Sequence, residues 1–372
     1  MDSNVILRSV LEREEIAPIE ALLLMQQDRS ILPEIYHVAD EVNRRLNKNR
    51  VGFVRSLNLN YTNVCKLSCS FCSFARKRSD KDAYTRTIEE IIGRIENEDD
   101  VTEVNLQGGL NPDLPLRYYV DLLTEVRNHY PAIQITAYSP VEVAFLARKG
   151  RTSYSDILGK FRDAGMNVLN GTAADILNDK LRKKLSSDKL RTGDWVDIIK
   201  AAHGMGIKTT ATILFGHVEN EIHICEHLEI IRHIQRQTGG FVELQAWPFI
   251  PEHAPLARDA KVQEFNVDEA FRMLAVARMF FSHTLANITA PWILWGTKNS
   301  LRSLSVGVND LGGVGYDSDV IRYRRAGRAE HAGADDLIQG VRKLGKVAAE
   351  RDALHNEVAP AGGRKVAVGA RG

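Results

Sequence analysis

The sequence predicts a parallel α/β barrel, and three observations carry that expectation. Strand-like apolar runs alternate with helix-like amphipathic ones along most of the chain, the pattern of repeated βα units. The chain has 372 residues, 44% of them hydrophobic, which suffices for one large core at a length that α/β barrels routinely reach. The residues best suited to chemistry fall just after the strand-like runs, at the end of such barrels where sites are built.

The elements follow in order. Leu7 to Leu46 reads as helices ahead of the barrel, with apolar stretches at Ile19 to Met25 and Ile35 to Val42. The first strand is expected over Arg55 to Tyr61, and later strands over Val101 to Leu106, Ile133 to Tyr138, Met166 to Leu169, Thr209 to Phe215 and Phe241 to Phe249. Ala286 to Ala290 and Val306 to Leu311 complete a (βα)8 count. Helices are expected between them at Thr87 to Asn97, Tyr118 to His129, Val141 to Ala164 in two pieces, Gly193 to Gly204, Ile222 to Gln237 and Val267 to Phe281. The resulting organisation is a helical segment over 1–50, a barrel over 51–325, a helical extension over 326–358 and a disordered tail over 359–372.

Charge and composition narrow the function classes. The formal net charge is +1, without the basic excess that nucleic-acid backbone binding uses, and nothing approaches the roughly 18 consecutive apolar residues of a membrane span. Small-molecule substrates are therefore expected, with neither nucleic acid nor membrane as partner. The chain has four cysteines and shows no signal peptide, which points to a reducing, cytoplasmic setting where clustered thiols serve metals rather than disulfides.

Cys65, Cys69 and Cys72 stand in a Cys-x3-Cys-x2-Cys run. Three thiolates on a cubane 4Fe-4S cluster leave one iron without a protein ligand, open to a small molecule, whereas electron carriers fill every position. A zinc site completed by a distant histidine is the alternative. Cys225, in a helix-like stretch, reads as a buried small hydrophobe. Beyond the cysteines, Gln107, Gly108 and Gly109 end the second strand, where glycines let backbone approach a ligand; an ordinary turn would look the same. Gly216, His217 and Glu219 follow the fifth barrel strand, two titratable groups placed for substrate or cofactor contact or for a solvated loop.

The cysteine motif, with Phe71 just before its third cysteine, resembles that of the radical S-adenosylmethionine (SAM) enzymes. Further segments narrow the resemblance: Gln107 to Pro115, Ala137 to Val143, Gly171 to Leu177 and Phe215 to Glu219 are similar to one branch of that superfamily. The branch holds the 4-hydroxyphenyl-transferase subunit of deazaflavin (FO) synthase, aminofutalosine synthase and dehypoxanthine futalosine cyclase. Gly171 to Asp175, Ile234 to Glu243 and Val308 to Gly313 are closer to the FO synthase subunit. The chain departs from that family at Val242 to Phe249 and Asn287 to Trp292, two strand ends that should face substrate.

The resemblance implies a radical SAM barrel in which Cys65, Cys69 and Cys72 hold the 4Fe-4S cluster and SAM chelates its open iron. One electron then cleaves SAM to a 5′-deoxyadenosyl radical, tyrosine loses hydrogen and its Cα–Cβ bond, and the 4-hydroxybenzyl fragment joins 5-amino-6-(D-ribitylamino)uracil. Phe71, Gln107, Gly108, Gly109, Ser139 and Gly216 are the residues it points to for SAM. His217 and Glu219 are the candidates for proton handling, and Thr172, Asp175, Trp247, Trp292, Asn309 and Asp310 for the substrate pocket. Asp175 could equally cap the helix after it, and either tryptophan could be a core residue. Expected partners are an electron donor of flavodoxin or ferredoxin type and a second FO synthase subunit. A menaquinone-pathway reaction, or a diverged relative with another substrate, is the competing expectation.

Overall fold

The amphipathic N-terminal sequence forms α1 (Ser3–Val10), α2 (Pro18–Met25) and α3 (Leu32–Asn47) in the computed structural model. The structure describes residues 2–12, 15–98, 100–259, 262, 265–314 and 333–358; the tail expected over 359–372 lies outside them. Two buried arginines tie these helices to the barrel. Arg232 donates to the Ile16 carbonyl and Arg272 to that of Met25, each at 2.7 Å.

The barrel strands are β1 (Arg50–Val54), β2 (Ser56–Asn60), β3 (Glu103–Gln107), β4 (Gln134–Ala137), β5 (Val168–Leu169), β6 (Lys208–Phe215), β7 (Phe241–Pro248), β8 (Ile288–Thr289) and β9 (Asp310–Gly313). Between them run α4 (Ile88–Glu96), α5 (Leu116–His129), α6 (Pro140–Gly150), α7 (Tyr154–Asp163), α8 (Asp179–Leu185), α9 (Thr192–Gly204), α10 (Glu221–Thr238), α11 (Val267–Phe280), α12 (Trp292–Trp295) and α13 (Thr297–Ser303). Outside the barrel, α14 (Ala334–Lys343) leads into β10 (Val347–Glu350).

The ten strands among the described residues form one parallel sheet in the order β10-β1-β9-β8-β7-β6-β5-β4-β3-β2. The expected first strand, Arg55 to Tyr61, is in fact the second half of a longer one broken at Arg55. Its first half, β1, bonds β9 and β10; its second half, β2, bonds β3. The curled sheet is thereby closed through the chain itself, and with β1 and β2 taken as one broken stave the (βα)8 pattern is recovered. The segment expected as a helical extension also supplies β10. Residues 306–309, assigned to the eighth strand from sequence, form the turn before β9, because Arg278 on α11 is buried beneath it. Arg278 donates to the Gly307 carbonyl at 2.6 Å and to the Asn309 side-chain oxygen at 2.7 Å, and Gly307 adopts a φ of +100° over its side chain.

The lower, N-terminal end of the barrel is closed by charge. Glu103, Glu243 and Asp310 enter it from β3, β7 and β9, and Arg351 and His355 meet them from the segment after β10. Arg351 donates to both Asp310 oxygens, at 2.7 and 2.9 Å, and stands 3.6 Å from Glu243; His355 Nε2 stands 3.3 Å from Glu243. Burial opposes the Glu243 charge, yet His355 and Arg351 hold its carboxyl well below the usual range. Glu103 has weaker help, and burial pushes it up to about 7 even with Arg351 nearby.

Glu103 therefore makes stability depend on pH. An unfolded chain releases this proton near 4.5, whereas the folded chain keeps it to about 7, so stability is lost as pH rises through that window. Glu103→Gln should match the unmodified chain in urea denaturation near pH 4 and exceed it by about 3 kcal/mol at pH 8. Equal stability of the two chains at pH 8 would sink this reading of Glu103.

Candidate active site

The segment between β2 and α4 carries the three cysteines and has no helix of its own, so its fold rests on specific ties. Val64 bridges Arg76, Thr62 bridges Thr85, and Cys65 N–H donates to the Arg76 carbonyl at 3.0 Å. The Arg76 guanidinium donates to the Ser73 carbonyl at 2.8 Å, and to those of Phe74 and Ala75, so it clips the end of the cysteine motif. The tip is held from outside, since Ser70 N–H donates to Leu185 at the end of α8 and the Ser70 carbonyl accepts from Leu256.

The thiols are largely buried and face one another's fields. Burial pushes Cys65 up and Cys69 up to about 11, and Cys72 adds to both shifts while Lys189 opposes them. Cys65 Sγ accepts from Leu110 N–H at 3.4 Å, and Cys69 Sγ lies 3.2 Å from the Ser186 hydroxyl. Among the described residues no three His, Cys, Asp or Glu side chains converge tightly enough for a single metal ion. A cubane binds each thiolate through a different iron, so its ligands stand further apart than those of one zinc. The donor set of three soft thiolates on one loop fits that cluster. Cys225 lies apart, buried in α10.

A cavity of about 200 Å³ opens beside this loop, at the C-terminal ends of the strands. Phe71, Cys72, Gln107, Gly108, Ser139, Thr172, Asp175 and Trp247 all line it, so the structure brings together these residues singled out from sequence. Gly108 and Gly109 have different reasons to lack a side chain. A Cβ on Gly108 would meet the Tyr61 ring at 2.6 Å, and one on Gly109 would meet the Val64 carbonyl at 2.3 Å and Cys65 Cβ at 2.9 Å. Gly108 faces the cavity, whereas Gly109 is the floor on which the cysteine loop rests.

Carboxylates brace the strand ends. Glu142, the third residue of α6, is buried and accepts from the Ser139 hydroxyl at 2.5 Å and from the Tyr61 hydroxyl. Burial raises it to about 7 against these bonds. Asp175 does not cap α8, whose N-cap is Asn178. It sits in the left-handed region at φ +47°, and its carboxylate takes Lys189 at 2.7 and 2.9 Å with Arg182 at 3.8 Å. Burial works against the Asp175 charge, but the two cations hold it below the ordinary aspartate range. Lys189 also lies 4.9 Å over the Phe71 ring, linking this pair to the cysteine loop.

Other expected residues lie elsewhere. His217 and Glu219 turn toward each other and the loop backbone rather than into this cavity: His217 Nε2 lies 3.0 Å from the Leu214 carbonyl, and Glu219 accepts from Gly216 and His217 N–H groups. Burial would raise Glu219, but the His217 ring, with Nδ1 2.9 Å from its carboxylate, and these backbone bonds hold it below its ordinary value. With Gly216 they border a separate cavity between the β6 loop and helices α2, α10 and α11. Trp292 is a core residue whose ring N–H donates to the Gly313 carbonyl at 2.6 Å. Asn309 is consumed by Arg278, the Ile288 N–H and Asn287, and Asp310 by Arg351. Sequence reasoning did not name Glu142, Lys189, Asn60, Thr212 and Leu214 as site residues, although Glu142 lay in the segment Ala137 to Val143 and Thr212 and Leu214 in the strand end Thr212 to Glu219.

The chain matches the model of the Radical SAM superfamily over residues 59–231 and that of the CofH/MqnC C-terminal region over residues 238–356. It is 34% identical over 349 residues to the 5-amino-6-(D-ribitylamino)uracil--L-tyrosine 4-hydroxyphenyl transferase of Methanothermobacter thermautotrophicus, covering 93% of this chain and 95% of that protein. Its counterpart from Archaeoglobus fulgidus is 36% identical over 325 residues, covering 87% and 93%. FO synthase of Streptomyces avermitilis is 35% identical over 343 residues, 91% of this chain but 40% of that longer protein. Two solved structures share the fold at low identity: the FeFe-hydrogenase maturase HydG of Carboxydothermus hydrogenoformans (TM-score 0.73, 15% identity, 95% of this chain and 80% of that one) and methylornithine synthase PylB (0.69, 19%, 92% and 97%). A chain with this cysteine loop, this curled parallel sheet and these full-length relatives belongs to the radical SAM superfamily, in the family of the 4-hydroxyphenyl transferases of deazaflavin synthesis.

Proposed function

We propose that this chain transfers the 4-hydroxybenzyl group of tyrosine to 5-amino-6-(D-ribitylamino)uracil, using SAM and a 4Fe-4S cluster held by Cys65, Cys69 and Cys72. The observation that carries this reading is the continuity of the cavity: Cys72 and Phe71, the strand end at Gln107 and Gly108, and Trp247 at the mouth of the barrel share one space. The relatives' names supply the co-substrates. When bound, the cluster gives SAM the electron that releases a deoxyadenosyl radical able to take hydrogen from tyrosine.

The chain's own residues exclude water, hold the ligands and fix the loops. Phe71, Phe74, Val141, Leu214 and Trp247 give the cavity apolar walls, which protect a carbon radical from solvent. Gln107 has no side-chain partner among the described residues and is free to bind SAM or substrate, while Ser139 is held in place by Glu142. His217 and Glu219 keep the β6 loop in shape. The four cysteines are free thiols, which suits a reducing cytoplasm. Among the described residues no helix is long and apolar enough to cross a membrane. The chain spans two-fifths of FO synthase. The partners that this reading calls for are a second FO synthase subunit and an electron donor of flavodoxin or ferredoxin type.

The reading is tested by product. Anaerobically reconstituted protein, given SAM, a strong reductant, tyrosine and the ribitylaminouracil, should yield a coupled compound retaining the 4-hydroxybenzyl carbons in mass spectra. An enolpyruvyl-benzoate should yield nothing; an adenosyl adduct of it would favour a menaquinone-pathway enzyme instead.

Gly109 offers a separate check on the cluster loop. Its missing Cβ is replaced by the Val64 carbonyl, so Gly109→Val should push the cysteines aside and cost most of the bound iron and sulfide. Full iron content in Gly109→Val would show that the loop does not depend on this contact.

A further inference from the structure

The inward faces of β2 and β3 carry a ladder of polar side chains where barrels of this kind usually pack branched aliphatics. In register, Ser56 pairs with Glu103, Asn58 with Asn105 and Asn60 with Gln107, and all six line the space inside the barrel. Leu57, Leu59, Val104 and Leu106 point the other way and are buried under the helices. The space is about 120 Å³, room for roughly four waters. It shares Asn60, Gln107 and Trp247 with the cavity beside the cysteines and descends roughly 13 Å to its floor at Glu103 and Arg351.

What this space can hold is set by its free groups. Asn58 and Gln107 have no side-chain partner among the described residues, and Asn105 uses only its oxygen, accepting from Asn170 at 2.8 Å. At the floor Arg351 is matched internally by Asp310 and Glu243, and the remaining group, Glu103, is an acid that no cation other than Arg351 faces. The middle of the space therefore offers neutral hydrogen-bonding groups at successive levels and no counter-charge for a carboxylate or phosphate. A neutral chain of hydroxyls can replace its waters one for one.

We infer that the Asn58–Asn105 layer is the specificity element for the polyhydroxylated side chain of the co-substrate, which threads down the barrel and leaves its heterocycle at the level of Gln107 and Trp247. This deepens the transferase reading and rests on it. The heterocycle then lies at the boundary with the SAM cavity, where the tyrosine fragment must reach it, and the zwitterionic amino acid is kept above the neutral layer. A site built to hydrogen-bond hydroxyls discriminates against a partner that lacks them.

The test compares 5-amino-6-(D-ribitylamino)uracil with 5,6-diaminouracil, which has no ribityl chain, as co-substrates of the reconstituted full chain. The unmodified protein should prefer the former in kcat/KM. In Asn58→Leu, similar in volume but unable to hydrogen-bond, that preference should fall by about tenfold through the KM of the ribityl compound, with the KM for tyrosine unmoved. Iron content reports whether the variant folds, and if leucine is not tolerated Asn58→Ala is measured in its place with the same expectation. An unchanged preference, or an equal rise in the KM for tyrosine, overturns the inference alone. If the unmodified chain couples neither compound, the transferase reading falls and this inference with it.

Discussion

The Asp310 carboxylate is fully buried at the seam of the barrel, and most of the architecture depends on its being neutralised by Arg351. Asp310 opens β9 and lies where a Cβ on Gly52 of β1 would be, at 2.1 Å, so glycine is required there for the seam to close. Arg351 arrives from the far end of the chain because β10 pairs with β1. Removing one partner of such a buried pair typically costs about 3–5 kcal/mol, since the remaining charge is left without solvent. The sheet is thus closed by covalent continuity through Arg55 and by an ion cluster spanning three strands.

That closure has a consequence for the interior. With the charges gathered and matched at the lower end, the inward positions above them can be amides and hydroxyls without leaving an unpaired ion in the core. A polar interior costs packing energy that aliphatic side chains would have supplied. The apolar core is displaced outward, where Leu57, Leu59, Val104 and Leu106 belong to one cluster with α4 and α5 residues such as Ile91, Leu122 and Val126, all fully or almost fully buried. The barrel is held by its outer layer and left hollow for a ligand.

Sequence pattern revealed most of the barrel because its strands are short apolar runs separated by amphipathic helices, and Val101 to Leu106 or Thr209 to Phe215 read as strands on that ground alone. It did not reveal β1, where Gly52 and the flanking arginines break the pattern, nor β10, whose Val-Ala-Ala-Glu run is too short to show a period. The cysteine loop was legible through spacing. The loop after β6 could not be read from sequence for a physical reason: two titratable groups at a strand end look alike whether they face a ligand or their own backbone, and only the fold shows that Glu219 accepts from Gly216 and His217. Lys189 carried no signal, since its partner Asp175 is fourteen residues away and its contact with Phe71 is made across the site.

The carboxylates around the site share one role, which bears on its chemistry. Glu219 holds the β6 loop, Asp175 with Lys189 and Arg182 holds the β5 loop, and Glu142 with Tyr61 and Ser139 holds the end of β4. Asp175 and Glu219 are held below their ordinary values, so moving a proton onto either would release the segment it pins, whereas burial raises Glu142 to about 7 and its role there is to hold Ser139 and Tyr61. A reaction driven by general acid–base transfer needs at least one such group free to change charge. A reaction begun by hydrogen-atom abstraction needs its reactants held at fixed distance and its water excluded, and carboxylates committed to stiffening the strand ends serve that purpose. Of the acidic groups that line the cavity, Asp175 is tied to Lys189 and Glu142 to Ser139 and Tyr61, which leaves Gln107, the apolar walls and Cys72 to face a ligand.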